Sequence, residues 1–187
     1  KSFLTNTFYP LYYNFFTQLG FKVELGDNVK QVGVEKKESS FCFPVELAHG
    51  FFQDLIDRKV DYIFLPHVLE VYNRDSNFFD RTCVLLQSET YYLKSTFKDD
   101  LGNVKILSPV ISFANGIENS KEKFLEVAKQ LDRDKAIASS AFDYAVDLQK
   151  EMMNEFKLIG KKVLQELEVD SNKFAIVLFG RSYNSFA

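Results

Sequence analysis

Short apolar runs alternate with longer amphipathic stretches along this chain, and this alternation restricts its fold more than any other feature. Val60–Leu65 contains the uninterrupted apolar run Tyr62–Leu65, which predicts a short strand covered on both faces. Tyr9–Leu19 and Val45–Arg58 instead place apolar residues at helical spacing, which predicts two amphipathic helices. Strands and helices in this order predict an α/β fold with a Rossmann-like, mostly parallel sheet and helices on both of its faces.

Further elements follow from the same two periodicities. We predict strands at Phe21–Leu25, at Val104–Phe113 with an interruption at Pro109, and at Lys173–Gly180, the last as a buried strand that runs into a glycine turn. We predict helices at Leu85–Phe97, from Ser120 onward, and at Asp134–Leu167, where Gly160 bends or breaks a long helix. The chain is then a single α/β domain over residues 1–187 or an incomplete pair of α/β subdomains divided near residues 100–118. Because it starts without methionine and stops just after a strand and turn, we expect a domain excised from a longer protein.

The composition excludes several classes of function. With 23 Lys and Arg against 26 Asp and Glu, the net charge is −3, and such a chain lacks the basic surface that a nucleic-acid backbone requires. The 20 Phe and 9 Tyr, with no Trp, predict a core filled by phenylalanine. No apolar run approaches the ~20 residues of a membrane-spanning helix, no secretory leader is recognisable, and two cysteines do not make a disulfide framework. We therefore expect a cytoplasmic protein with reduced thiols that binds neither nucleic acid nor membrane.

Four residues in predicted loops are candidates for chemistry: Cys42, His67, Cys83 and Arg181. In α/β sheets, functional side chains gather in the loops that follow the strands. Cys42 directly precedes a predicted helix, whose positive end favours the thiolate that a metal ion or iron–sulfur cluster requires. The alternative is that a free cysteine is more often a small buried hydrophobic residue. Arg181 follows the last predicted strand and either binds an anion or fixes its loop through backbone carbonyls.

Spacing alone does not assign a site. Cys42 and Cys83 are 41 positions apart, no CxxC motif is present, and two cysteines cannot complete a four-ligand site. His49 lies on the helix that follows Cys42, where packing or capping is commoner than metal ligation, and a hydrogen-bonded loop role is the commoner one for His67. The P-loop, GxGxxG, GxSxG and HExxH motifs are all absent from the sequence.

Four segments of the chain, taken in order, resemble the motifs of one protein family. They are Phe15–Val23, Cys42–Gly50, Val60–Pro66 and Gly180–Asn184. Together they extend over nearly the whole chain, which resembles a domain of the CoA-substrate-specific enzyme activases, proteins related to the ATP-dependent activators of 2-hydroxyacyl-CoA dehydratases. That domain is in turn similar to the cluster-bearing subunits of 2-hydroxyacyl-CoA dehydratases and benzoyl-CoA reductases.

The resemblance implies an iron–sulfur redox system of anaerobic metabolism. By position, Cys42 and Cys83 would be metal ligands of a [4Fe–4S] cluster, and His67 and Arg181 would line the cofactor pocket. The cluster would serve low-potential electron transfer or radical chemistry on a CoA thioester. The implied partners are an ATP-dependent activase module or the remainder of a full-length chain, because this sequence contains none of that module's glycine-rich phosphate motifs.

Two main hypotheses on function stay open, with a weaker third. The first is a [4Fe–4S] redox domain associated with ATP-dependent activation or reductive radical chemistry of the 2-hydroxyacyl-CoA dehydratase type. The second is a non-catalytic docking or scaffold domain of a larger activase-like protein, which Val84 and Ser182 favour because the family usually has proline there. The third is a small-molecule module that binds an anion through Arg181. Whether the chain belongs to an enzyme stays open, and we expect it to be inactive alone.

Overall fold

Short parallel strands and longer helices make up the structure, a computed structural model that describes residues 3–37, 39, 42–72, 80–170 and 172–180. The α-helices in these residues are α1 (Thr5–Gln18), α2 (Gln31–Glu35), α3 (Phe43–Asp57), α4 (Val84–Gln87), α5 (Glu89–Thr96), α6 (Lys121–Gln130) and α7 (Lys135–Val169). The β-strands are β1 (Tyr62–Phe64), β2 (His67–Glu70), β3 (Lys105–Leu107) and β4 (Val110–Ser112), and a 3-10 turn, Ile117–Ser120, leads into α6. Within these ranges no helix combines the length and the apolar character needed to cross a membrane.

The four strands form two parallel pairs that follow one another. β1 pairs with β3, and β2 pairs with β4. Between the pairs, the Leu65 N–H donates to the Leu107 carbonyl at 2.8 Å and the His67 N–H donates to the Pro109 carbonyl at 2.9 Å. The parallel pairing and the surrounding helices confirm the predicted α/β class. Pro109 interrupts the predicted strand Val104–Phe113 at the expected position, between β3 and β4.

Phenylalanine fills the core, as the composition predicts. The largest fully buried side chains include Phe15, Phe97, Phe113, Phe124 and Phe142. One apolar cluster joins α1, α6 and α7 to strands β2, β3 and β4, and a second joins α3, α4 and α5 to β1. In the first cluster, Phe15 and Phe124 meet edge to face with their ring centroids 5.0 Å apart. The candidate site described below lies against the second cluster.

A buried glutamine joins α7 to a kink in α1. Pro10 lies inside α1 and has no N–H to donate, and Phe8 has non-helical torsion angles. In a regular helix the Leu11 N–H would donate to the Thr7 carbonyl. Here Oε1 of the fully buried Gln149 accepts from the Leu11 N–H at 3.2 Å, and its Nε2 donates to the Thr7 carbonyl at 2.9 Å. A single amide therefore bridges two backbone groups that a kinked helix would otherwise leave without partners.

The predicted strand Phe21–Leu25 is wrong, because the segment belongs to no β-ladder in the described residues. A cavity of about 470 Å³ lies between it and β1, so the two backbones do not pair. The chain beyond the segment is held by α3 instead. There the buried Asp54 carboxylate accepts from the N–H groups of Asp27 and Asn28 at 3.3 Å each and pairs with Arg58 at 2.9 Å. Alternating polarity predicted a strand here, whereas the chain that follows this segment is anchored on α3.

The predicted buried strand Lys173–Gly180 is also wrong. The segment lies outside every described strand, and its apolar side chains face solvent, with Phe174 83% and Phe179 95% exposed. An apolar run indicates that burial would be favourable, but a strand also needs a neighbour with free N–H and C=O groups. The described residues include no strand paired with this segment.

The predicted helix Asp134–Leu167 is α7, and it is continuous. The Asp134 carboxylate caps its start by accepting from two backbone N–H groups, at 2.8 and 3.1 Å. Gly160 does not bend or break the helix, because one exposed glycine only weakens a helix locally and no other group packs at this position. The first half of α7 packs on α1 and α6. Large apolar side chains in its second half are exposed, among them Phe156, Ile159, Val163 and Leu164.

Candidate two-cysteine site

Cys42 lies at the start of α3, as the sequence predicts for this position. Its backbone is extended, and its carbonyl accepts the first hydrogen bonds of the helix, from the N–H groups of Val45 and Glu46 at 3.1 and 3.4 Å. Pro44 fits the first turn because that position needs no hydrogen-bond donor. The thiol is half-buried against the second apolar cluster and makes no capping hydrogen bond. Its sulfur is therefore held at the positive end of a four-turn helix.

Cys83 begins a second, shorter helix. The predicted helix Leu85–Phe97 divides at Ser88 into α4 and α5, and Cys83 caps the first of the two. Its Sγ accepts a hydrogen bond from the Leu86 N–H at 3.4 Å. The Cys83 thiol is exposed. Neither Cys83 nor Cys42 forms a disulfide. Both cysteines thus occupy the same kind of position, the residue immediately before a helix.

Tyr92 lies on α5 and packs against the second apolar cluster. Its hydroxyl is buried and has no hydrogen-bond partner within the part of the chain that the structure describes. Burial is the main reason why the pKa of Tyr92 lies far above its usual value, and the negative charges of Glu89, Cys42 and Cys83 raise it further.

His67 supports the helix that Cys83 caps. The side chain is buried, and its Nδ1 lies 2.9 Å from the carbonyl oxygen of Gln87, the last residue of α4. A carbonyl only accepts, so Nδ1 carries the hydrogen, and in the neutral ring the lone pair is on Nε2. The ring also meets Tyr91 edge to face at 5.0 Å. His67 is the first residue of β2 and not a loop residue as predicted, but it does form a hydrogen bond, and this bond fixes the end of α4.

His49 packs inside the site. It is 3% exposed, its Nδ1 donates to the Val45 carbonyl at 2.8 Å, and its ring is stacked on that of Tyr92 at 5.4 Å. Burial lowers the pKa of His49, the nearby charge of Lys37 lowers it further, and the hydrogen bond to Val45 only partly offsets both effects. The neutral imidazole is thus the favoured form, and the packing role expected from the sequence is the one it has.

The structure does not gather a complete ligand set around the cysteines. Among the described residues, no three His, Cys, Asp or Glu side chains are grouped so that they could hold a metal ion. Arg181, predicted to line the pocket, and Ser182 both lie outside the described residues. The structure therefore places Cys42 and Cys83 each at the start of a helix, and it bonds His67 to the end of the helix that Cys83 caps.

Sequence reasoning missed Tyr92. The predicted helix Leu85–Phe97 contained the signal, because Glu89, Tyr92, Leu93 and Thr96 recur at helical spacing and share one face. Periodicity therefore could have placed the side chain inward. Its contact with His49 depends on how α3 and α5 pack together, which no local pattern reveals.

Comparison with known protein families gives one match. A family model described as CoA enzyme activase uncharacterised domain matches residues 1–187. The chain belongs to this family. Searches of curated proteins and of solved structures found no match.

Membership confirms the resemblance inferred from the sequence motifs. The match extends over the whole chain, so each described element belongs to the CoA enzyme activase domain. An activase acts on another enzyme, so this domain works together with an enzyme partner.

Proposed function

We propose that this activase domain is an iron–sulfur redox module in which Cys42 and Cys83 supply two ligands of a [4Fe–4S] cluster. The module would take part in ATP-dependent activation, or in reductive radical chemistry, of the 2-hydroxyacyl-CoA dehydratase type. The observation that carries the proposal is the shared position of the two cysteines in an activase domain, because each directly precedes a helix.

The chemistry of these residues fits such a cluster. Thiolates are the usual protein ligands of [4Fe–4S] clusters, which are anionic. The N-terminus of α3 presents the positive end of its dipole to that negative charge, and the Leu86 N–H already donates to Cys83 Sγ. A cluster takes four ligands, so two more would come from outside the described residues or from a partner. When bound, the cluster would supply low-potential electron transfer.

The remaining residues of the site have supporting roles in this proposal. His67 holds the Gln87 carbonyl and with it the short helix that presents Cys83. The Gln87 side chain in turn donates to the Thr82 carbonyl at 2.7 Å, which fixes the turn before Cys83. Arg181 would supply positive charge to the pocket, where an anionic cluster or a CoA phosphate would bind.

Iron and acid-labile sulfide should be measured in the full chain after anaerobic purification and reconstitution. We expect about four irons per chain or per dimer in the parent. This iron should be lost or strongly reduced in Cys42→Ala and in Cys83→Ala. Ser88→Ala is the matched control, because Ser88 lies in the same turn and carries no sulfur. Equal iron contents in the parent and in both cysteine variants would contradict the proposed ligands.

A non-catalytic docking domain is the second candidate. It is favoured by the absence of a three-ligand group among the described residues and by the exposed apolar segment Phe174–Phe179. If this alternative holds, the reconstituted parent binds no iron. An ATP-dependent activase module then binds the parent chain and its Cys42→Ala and Cys83→Ala variants with the same affinity. Titration calorimetry with the module measures that affinity.

A further inference from the structure

We propose that the cavity between Phe21–Gly26 and β1 binds a neutral aromatic small molecule. The cavity has a volume of about 470 Å³. This volume is far larger than the gaps between side chains of a packed core, and it falls within the roughly 300–1,000 Å³ that is usual for small-molecule sites. Neither Cys42 nor Cys83 lines the cavity, so the inference is independent of the iron–sulfur function proposed above.

The cavity exists because two walls of the fold do not pair. Paired strands lie about 4.8 Å apart, so a β-ladder between Phe21–Leu25 and β1 would leave no room for a small molecule. Here the segment belongs to no ladder in the described residues, although its alternating polarity is typical of a strand. Apolar side chains on both walls therefore have space between them for another apolar group, whose burial would be favourable.

Aromatic rings dominate the walls of the cavity. Ten of the residues that line it are Phe or Tyr, and most of these come from α1, α3 and β1. Phe64 meets Tyr12 edge to face at 5.1 Å and Phe16 at 4.9 Å between ring centroids. Phe21 meets Tyr62 in the same way at 6.3 Å, so the two walls are in contact there. Rings held in fixed orientations favour a planar aromatic molecule over an aliphatic one of the same size, by roughly twofold to tenfold in affinity.

The positive charges at the cavity are already neutralised. Its basic lining residues are Lys22 and Arg58. Lys22 pairs with Glu24 at 2.5 Å. Arg58 pairs with Glu24 at 3.5 Å and with the buried Asp54 at 2.9 Å. An anionic molecule would therefore lose its hydration without gaining a cation, which makes its binding unfavourable.

The acidic lining residues do not favour a cation either. They are Glu24, Asp61 and Glu89. Glu24 is paired with the two basic residues, the buried Glu89 has an interaction of its own, and Asp61 is exposed to solvent, where its charge is hydrated. The ligand class that fits these walls is thus an uncharged molecule with one or two fused aromatic rings.

Titration calorimetry of the full chain with naphthylmethanol tests the proposal, because this molecule is neutral, planar and aromatic. Three comparison compounds change one property each. Naphthoate carries a negative charge, naphthylmethylammonium carries a positive charge, and decahydronaphthylmethanol has no aromatic ring. We expect one saturable site for naphthylmethanol per chain. The affinity should be at least about tenfold lower for each charged compound and roughly twofold to tenfold lower for the saturated one.

Val23→Trp fills the cavity from the side of the extended segment. Val23 lines the cavity and packs against the first apolar cluster. Val32→Trp is the matched control, because it makes the same change on α2 at a residue that is 63% exposed and does not line the cavity. The affinity for naphthylmethanol should fall at least about tenfold in Val23→Trp and stay unchanged in Val32→Trp.

A second measurement on the parent chain does not depend on whether the Val23→Trp variant folds. Methyl resonances in the nuclear magnetic resonance spectrum locate the bound naphthylmethanol. Those of Val23 and Leu55, which line the cavity, should shift on binding. That of Val177, which is 68% exposed in the segment after α7, should not.

Both directions of the result are informative. One site with this order of affinities, located by the Val23 and Leu55 methyl groups, supports the proposal. The absence of saturable binding, tighter binding of either charged compound, or shifts at Val177 instead of Val23 overturns it. Neither assay involves iron, so failure of the proposed cluster function would leave this result unaffected.

Discussion

Replacing Gln149 by methionine tests whether one side chain stabilises the kinked helix α1. Methionine keeps the length and much of the volume of glutamine, so the change mainly removes the amide. The Leu11 N–H and the Thr7 carbonyl then lose the partners that they have at 3.2 and 2.9 Å. Because Gln149 is fully buried, water does not readily replace it.

The expected loss follows from the number of groups left unpaired. Each buried backbone group without a partner costs about 1–3 kcal/mol, and methionine recovers part of this by avoiding the desolvation of an amide. We therefore expect the free energy of unfolding to fall by about 3 kcal/mol, which corresponds to a melting temperature lower by roughly 6–12 °C for a chain of this size. Urea denaturation followed by circular dichroism measures the loss.

The same reasoning predicts that the cost depends on Pro10. In a Pro10→Ala background, α1 can form regular helical hydrogen bonds, and the Leu11 N–H can reach the Thr7 carbonyl directly. Gln149→Met should then cost less than about 1 kcal/mol, so a double-mutant cycle should give a coupling of about 2 kcal/mol. An equal cost in both backgrounds would refute the bridging role, because the amide would then act independently of the kink.

Two further predictions concern titratable groups. Burial opposes the ionisation of Asp54, but the N–H groups of Asn28 and Asp27 and the Arg58 guanidinium outweigh it and hold its pKa below the ordinary value. The contribution of Asp54 to stability is thus present above pH ~4 and lost as the pH falls further. Asp54→Ala should lower the free energy of unfolding by about 2 kcal/mol at neutral pH and by much less in acid. Urea denaturation at the two pH values measures both losses. The pKa of His49 is lowered chiefly by burial, so its contribution is present above about pH 6.5 and declines as the pH falls through that value. The urea midpoint should fall between about pH 7 and pH 5, and His49→Gln should flatten this slope; an unchanged slope would show that other groups cause it.

Local sequence signals predicted those parts of the fold that local interactions decide. Gly20, with φ +84°, follows the predicted first helix, and the prolines at 44 and 109 lie at a helix start and at a strand interruption. These residues restrict or free the backbone wherever they occur. Their effects therefore do not depend on tertiary structure.

Sequence patterns that predict a strand were less informative, because a strand also needs another strand to pair with. Phe21–Leu25 and Lys173–Gly180 have the composition of strands, and the structure pairs neither of them in the described residues. One is separated from β1 by a cavity, and the other has no neighbouring strand. Apolar patterning records a tendency to be buried, whereas strand pairing depends on residues far away in the chain.

The candidate site shows the same division. The start of α3 after Cys42 was predictable from Pro44 and the helical spacing behind it. The contact between Tyr92 and His49 was not predictable, because it arises only where α3 and α5 pack together. Whether Cys42 and Cys83 hold a cluster stays a prediction, since the ligands that would complete it are not among the described residues.

The exposed segment Phe174–Phe179 has a consequence for how molecules of this chain behave toward one another. Its six residues contain no charge, proline or glycine and are rich in residues with high β-propensity. Such a segment readily forms intermolecular cross-β contacts, and a net charge of −3 gives only weak repulsion between molecules. We therefore expect this segment, and not the stability of the core, to set the concentration at which the isolated chain stays monomeric.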